Sequence, residues 1–267
     1  MSHEEARKTA DAYLFARQEI RQRLERLADH ADPATHRRVA SLGLREGSHC
    51  LEVGFGCGSV ALWLSRMVGP QGRVVAVDLD PRFLTDRQEP NLEVRQQDIT
   101  REPPPEQAFD LIHVRLVLMH LPQRDQVMEW LVKSLKPGGW LVVEEHELFP
   151  TAIDKGVPAV YPRFWRAMRE TGHRRGMDSA WARKVPSLMQ QLGLQQVGTE
   201  VDMPLFNGGS SVAEFWRLTA EHLQPQMEAY GLLTRQEFTE AMTLMKDPSI
   251  WLFAPAMVGV WGRRPAV

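Results

Sequence analysis

The stretch that decides the fold reads Leu51-Glu52-Val53-Gly54-Phe55-Gly56-Cys57-Gly58, a short apolar run holding one acidic residue, then glycine at every second position. Glycine at that spacing lets the backbone turn sharply and lets a ligand approach with no Cβ in the way. Strand-to-helix turns also use glycine for purely steric reasons, so the loop alone is weak. Its context is stronger. Val74-Val75-Ala76-Val77 is a second apolar run ending in Asp78. An acidic residue ~20 residues past such a loop, at a second strand's tip, can accept both hydrogen bonds of a ribose diol. The alternate glycines differ from the dinucleotide fingerprint, whose third glycine comes later to admit a pyrophosphate over the helix N-terminus.

Working outward, Cys50 to Val53, Val74 to Val77 and Leu92 to Val94 are separated by helical stretches around Leu62 to Met67 and after Pro81. Strand, helix, strand, helix, strand is the pattern of a parallel sheet. Pro103-Pro104-Pro105 is an exposed connector into a fourth strand, Phe109 to Val114. Val127 to Leu135 has helical spacing, Lys136-Pro137-Gly138-Gly139 reads as a turn, and Trp140 to Val143 is a fifth strand buried on both faces. Further strands are expected near Gln195 to Val201 and Ala256 to Trp261. Upstream, Tyr13, Leu14, Ile20, Leu24 and Leu27 mark an amphipathic helix from Glu4 to Leu27, and Asp32-Pro33 reads as the cap and first turn of a second helix to about Leu42. Beyond Phe149 come helices rich in Trp, Phe and Met.

The 267 residues are 43% apolar, enough for one substantial core. With 32 basic and 34 acidic side chains intermixed, the net charge of −2 provides no broad attraction for nucleic acid or anionic lipid. Cys50 and Cys57 lie in a strand and its following loop, where a disulfide would gain little, and this usage fits a reducing cytoplasm. Met1 to Lys8 is charged rather than apolar, and no long apolar run follows, so neither a signal peptide nor a membrane span is expected.

Between about Ser48 and Glu145 the chain resembles the class I S-adenosylmethionine (SAM) dependent methyltransferases. Glu52 to Gly58, Val77-Asp78, Gln97-Asp98-Ile99, Phe109-Asp110-Leu111-Ile112 and Leu135-Lys136-Pro137-Gly138-Gly139 occur in that family's order. The resemblance implies an α/β, Rossmann-like, seven-stranded, mostly parallel sheet with N-terminal helices and a helical lid insertion. A helical cap over 1–47 then precedes a SAM-binding domain over 48–267, its lid at about 151–190 and 206–250. It also implies that Glu52, Gly54, Gly56 and Gly58 line the amino-acid part of SAM, that Asp78 holds the ribose, that Leu79 packs on the adenine, and that Asp98 and Ile99 bond it. The family often has a small residue where this chain has Phe55, which would narrow the cofactor site if it pointed inward.

Methyl transfer from a sulfonium is an in-line displacement, so alignment and exclusion of water supply much of the acceleration. The acceptor belongs above the carboxyl ends of the strands, which nominates His113 to Arg115, His120, Glu144, Glu145 and His146. His120 and His146 are the candidate bases, with a positioning or packing role as the alternative for His120 and a solvent-exposed surface histidine as the alternative for His146. Arg115 and Arg17 are candidates for the SAM carboxylate or for tying down the leading helix, and Tyr13 for covering the cofactor. Glu145, Tyr161, Trp165, Phe206 and Trp216 are the candidate acceptor contacts, the aromatics offering faces for a planar molecule or simply core. No metal is expected, because consecutive residues such as Glu144 to Glu147 point alternately to opposite sides of a strand.

The leading reading is methylation of a small organic acceptor, with O-methylation of a secondary metabolite first and S-adenosylhomocysteine as by-product. A non-methylating cyclase or isomerase that keeps SAM as a bound charge, and a non-catalytic SAM-binding partner module, are the alternatives. Neither nucleic acid nor membrane is an expected partner; a homodimer through the leading helix or the Trp-rich region is compatible with the sequence.

Overall fold

The computed structural model describes residues 20–84, 89–148 and 157–266. The anticipated strands form β1 (His49–Val53), β2 (Arg73–Asp78), β3 (Leu92–Gln96), β4 (Phe109–Arg115), β5 (Leu135–Glu147), β6 (Gln195–Asp202) and β9 (Ala256–Arg263). They make one seven-stranded sheet in the order β3-β2-β1-β4-β5-β9-β6, and β3, β2, β1, β4 and β5 run parallel. Crossover connections leave β1 with β2 on one side and β4 on the other, so the loops after β1 and β4 diverge and open a crevice at the carboxyl ends of these strands.

The described residues of Ala31–Glu145, Trp181–Val201 and Val258–Val267 form one compact unit, and those of Met1–His30, His146–Ala180 and Asp202–Met257 a second. In the sheet-bearing unit, β1, β2 and β4 are nearly continuous apolar runs because both faces are covered. Val39, Cys50, Val60, Leu64, Val68, Val74, Leu111 and Val142 make one core cluster, which joins the sheet to α1 (Ile20–Ser41) and α2 (Ser59–Val68). The remaining helices here are α3 (Arg124–Ser134), which leads into β5, and α5 (Val185–Gln191).

Two local expectations are corrected. The two leading helices are one through the described region: α1 runs straight across Pro33. The carboxylate of Asp32, read from the sequence as a cap, instead accepts a hydrogen bond from Arg115 at 2.8 Å. Tertiary pairing has taken the side chain that would have started a new helix. Lys136 to Gly139 is likewise an irregular opening of β5 rather than a separate turn, with the β4–β5 register shifting between Phe109 and Leu111. A Cβ on Gly139 would lie 2.9 Å from the Phe109 carbonyl. Asp110 accepts from the His49 N–H at 2.8 Å and from Lys136 at 2.7 Å, so both motifs fasten the amino ends of the strands.

The second unit contains α4 (Val160–Arg174), α6 (Ser211–Ala229) and α7 (Arg235–Lys246), mutually packed, and a ribbon of β7 (Leu205–Asn207) with β8 (Trp251–Phe253). Ser210 caps α6 through the Ala213 N–H, and Thr234 with Glu237 forms a capping box on α7. No described helix is long and apolar enough to cross a membrane.

Candidate active site

The glycine loop adopts the conformation its spacing demands. Gly54, Gly56 and Gly58 have φ of 71°, 54° and 83°, left-handed values that side chains other than glycine resist. A Cβ at Gly54 would strike Val117, and one at Gly58 would strike Leu84. Phe55 points away into a cluster with Ala61, Ala76 and Leu84, so its bulk does not narrow the loop. Gly56 donates its N–H to Asp78 Oδ2 at 3.1 Å, and Asp80 donates to Oδ1 at 3.0 Å. Burial pushes the Asp78 carboxyl up to about 6, against the pull of these backbone donors. Leu79 is half-buried beside it, its carbonyl accepting from Gln96 at 2.9 Å.

Past β3, the Oδ1 of buried Asp98 accepts from the Thr100 N–H at 3.0 Å and the Thr100 hydroxyl at 2.6 Å. Among the described residues its Oδ2 makes no hydrogen bond and has Arg101 Nε at 3.4 Å. Ile99 is buried next to it.

At the tip of β4 the chain turns through Leu116, whose φ of 55° is unusual for a leucine. The short 3-10 turn Leu118–His120 follows and carries half-buried His120. Glu145 reaches this turn from β5. Its Oε1 accepts from the Met119 N–H at 3.2 Å, while Oε2 has no hydrogen-bond partner among the described residues. Burial drives the Glu145 carboxyl up to about 8, although the N–H groups of Met119, Leu118 and Val117 and the charge of Arg124 oppose this. A second turn, Trp181–Arg183, packs on the first, and Trp181 Nε1 also lacks a hydrogen-bond partner.

Glu52 and Arg115, nominated for SAM, are both tied to other side chains. Glu52 Oε2 lies 2.7 Å from His113 Nδ1. Arg115 binds Asp32 at 2.8 Å and the Thr35 hydroxyl at 3.0 Å, both on α1. Sequence reasoning missed the α1 side chains Asp32, Thr35 and Arg38. The available signal was Glu52 and Glu144 inside apolar runs, where a buried charge requires partners.

Within the second unit, His146, Trp165 and Trp216 come together. The His146 ring lies 4.9 Å from Trp216 and 6.0 Å from Phe215, and Trp165 meets Trp216 edge-on at 4.8 Å. Tyr161 packs on Trp165 at 6.0 Å and spends its hydroxyl on the Phe253 carbonyl at 2.9 Å. Phe206 is buried on β7. Tyr13 and Arg17 lie outside the described residues.

Residues 51–143 match the family model described as Methyltransferase domain. Over 129 residues the chain is 30% identical to the ubiquinone/menaquinone biosynthesis C-methyltransferase UbiE of Pseudoalteromonas translucida (strain TAC 125), covering 43% of this chain and 51% of that protein. The chain thus spans about half the length of that curated relative. Among solved structures, a SAM dependent methyltransferase from Aquifex aeolicus aligns with a TM-score of 0.51 at 18% identity, over 91% of this chain and 97% of that one. The [4+2]-cyclase SpnF aligns with a TM-score of 0.55 at 18% identity, over 90% and 82%. Residues 51–143 therefore match a methyltransferase domain, in a chain that shares its fold with a SAM dependent methyltransferase of known structure and with the cyclase SpnF.

Proposed function

We propose that this chain binds SAM over the tips of β1, β2 and β3 and directs methyl transfer to a small phenolic or quinol-type acceptor at the ends of β4 and β5. The observation that carries the reading is the pairing of a Cβ-free loop with a carboxylate braced toward it by the Gly56 N–H. The groups present fit the cofactor. Asp78 Oδ2 accepts from the Gly56 N–H and Oδ1 from the Asp80 N–H, and the lone pairs that remain on the carboxylate can take ribose hydroxyls. The buried Oδ2 of Asp98 is a ready acceptor for an adenine amino group. Glu52 and the loop glycines serve the amino-acid end. Bound there, SAM would supply a methyl group on a sulfonium.

The acceptor reading rests on two buried polar atoms beside the Leu118–His120 turn, Glu145 Oε2 and Trp181 Nε1, that have no hydrogen-bond partner among the described residues. Burying either without a partner is costly. A ligand oxygen that takes a hydrogen bond from each offsets that cost. His120 on that turn takes the acceptor's proton, while Glu145, which burial keeps protonated up to about 8, holds the acceptor oxygen by donating a hydrogen bond. The name of the UbiE relative supports a ring acceptor methylated at carbon; oxygen, the sequence-based expectation, is the competing atom of the same acceptor class.

The test is incubation with methyl-labelled SAM and a panel of phenols and quinols, with the product's mass and methylated atom read together. Gain of one methylene, with label in the product, supports transfer. SAM binding with a rearranged product of unchanged mass would replace transfer by cyclisation or isomerisation.

A further inference from the structure

Beneath the glycine loop lies a buried set of charges that methyl transfer itself does not use. Glu52 on β1 and His113 on β4 are register partners, as are Arg115 on β4 and Glu144 on β5. His113 is fully buried between two carboxylates, with Nδ1 at 2.7 Å from Glu52 and Nε2 at 3.4 Å from Glu144. Glu144 in turn binds Arg38 and accepts from the Thr35 hydroxyl at 2.5 Å, both on α1. Arg115 bridges Thr35 and Asp32. Arg38 also reaches Glu200 at 3.0 Å, but Glu200 pairs with surface Arg37 at 2.8 Å and is balanced by it. His36, stacked on Trp63, faces the same cluster, and burial lowers its pKa, so it adds no charge.

Counting what remains, Glu52, Glu144 and Asp32 oppose Arg38, Arg115 and His113. The set is neutral only when His113 is an imidazolium; a neutral ring would leave one uncompensated buried anion, which proteins avoid.

We propose that His113 is a positioning residue for the cofactor: as a standing imidazolium between Glu52 and Glu144, it fixes the Glu52 carboxylate at the root of the glycine loop and so sets affinity for the cofactor's charged amino-acid end. The inference rests on Glu52 lining that end of the site. Electrostatics agree with the geometry. Burial disfavours the charged ring, yet the charges of Glu52 and Glu144 outweigh burial and raise His113 to about 9.

Replacing the ring by a neutral amide should leave two carboxylates sharing one buried space, one of them holding a proton that must leave when Glu52 engages the ligand's ammonium group. The experiment is calorimetric titration of S-adenosylhomocysteine into the full chain and into His113→Asn, between about pH 7 and 8, in buffers of different ionisation enthalpy. His113→Asn should bind about 10- to 100-fold more weakly, with proton release that the unaltered chain does not show. Unchanged affinity without proton release would overturn the proposal. Nitrogen NMR of the unaltered chain decides the matter if the variant fails to fold: both His113 ring nitrogens should carry protons at neutral pH, and a neutral tautomer there refutes the inference. Glu52→Gln separates the two layers. If it binds normally, the assignment of Glu52 to the site fails; if it binds weakly while His113→Asn binds normally, only the role of His113 fails.

Discussion

Glu145→Gln should stabilise the fold while impairing methyl transfer, and the size of the gain can be worked from the site. An unfolded chain ionises this carboxyl near its ordinary value of 4.5, whereas the folded one holds its proton to about 8. Between those values the unfolded state releases a proton that the folded state keeps, so stability falls as pH rises. At pH 7 the loss is 2.5 units of pH above the unfolded value, roughly 3 kcal/mol at 1.36 kcal/mol per unit. Glutamine cannot ionise, and its carbonyl can still accept from the Met119 N–H. Denaturant unfolding across pH 4 to 8 should therefore show the variant gaining on the unaltered chain as pH rises, while label transfer to an acceptor falls. A variant that is less stable at neutral pH, or that keeps the same pH slope, would refute the argument that this carboxyl is buried without sufficient compensation.

Other outcomes follow from the same geometry. Arg38→Met removes a fully buried partner of Glu144 and should cost about 3–5 kcal/mol in denaturant unfolding. Glu144 is pushed up by burial but held at about 2 by His113, Arg115 and Arg38, so its contribution is present above 4.5 and lost as pH falls through 2; the variant should show a shallower acid slope. Gly259→Ala places a methyl group against the Arg38 guanidinium and should destabilise by ~1–3 kcal/mol, read by the same unfolding curve. Asp78→Ala should weaken S-adenosylhomocysteine binding by ~1–3 kcal/mol in calorimetry. In the unaltered chain that affinity should decline as pH drops below about 6, where the Asp78 carboxylate takes a proton.

The parts of this protein legible in the sequence are those whose determinants are local. The run Glu52 to Gly58 carries its own turn geometry, and Asp78 follows its strand directly, so the loop, the acidic tip and the five parallel strands were readable from period and glycine placement. Pro33 misled because Asp32 before it has a cap's chemistry, and its real partner, Arg115, stands 83 residues away. The β7–β8 ribbon escaped for the same reason: three-residue strands that pair across 40-odd residues have no turn signature between them. Thr35 reaches Glu144 across 109 residues, a contact no spacing rule encodes.

The two consecutive glutamates at the end of β5 show how a small backbone irregularity sorts function. Neighbours on a strand point to opposite faces. Glu144 therefore meets Arg38 and Thr35 and is held ionised at about 2, while Glu145 accepts from the backbone N–H groups of the turn after β4 and is raised by burial to about 8. Two identical side chains thus acquire opposite protonation at neutral pH, one fastening the helix and the other left with a free oxygen beside the proposed acceptor. Which glutamate takes which task depends on strand register, since a slip of one residue would exchange their faces. That register is reset where Gly139 passes the Phe109 carbonyl without a Cβ, between the pairs Phe109–Leu135 and Leu111–Trp140. The glycine pair before β5's apolar run therefore matters to the site although it lies at the strand's other end: a Cβ at 139 would press on the Phe109, Lys136 and Asp110 carbonyls at 2.9, 3.0 and 3.2 Å and strain the point where that register is set.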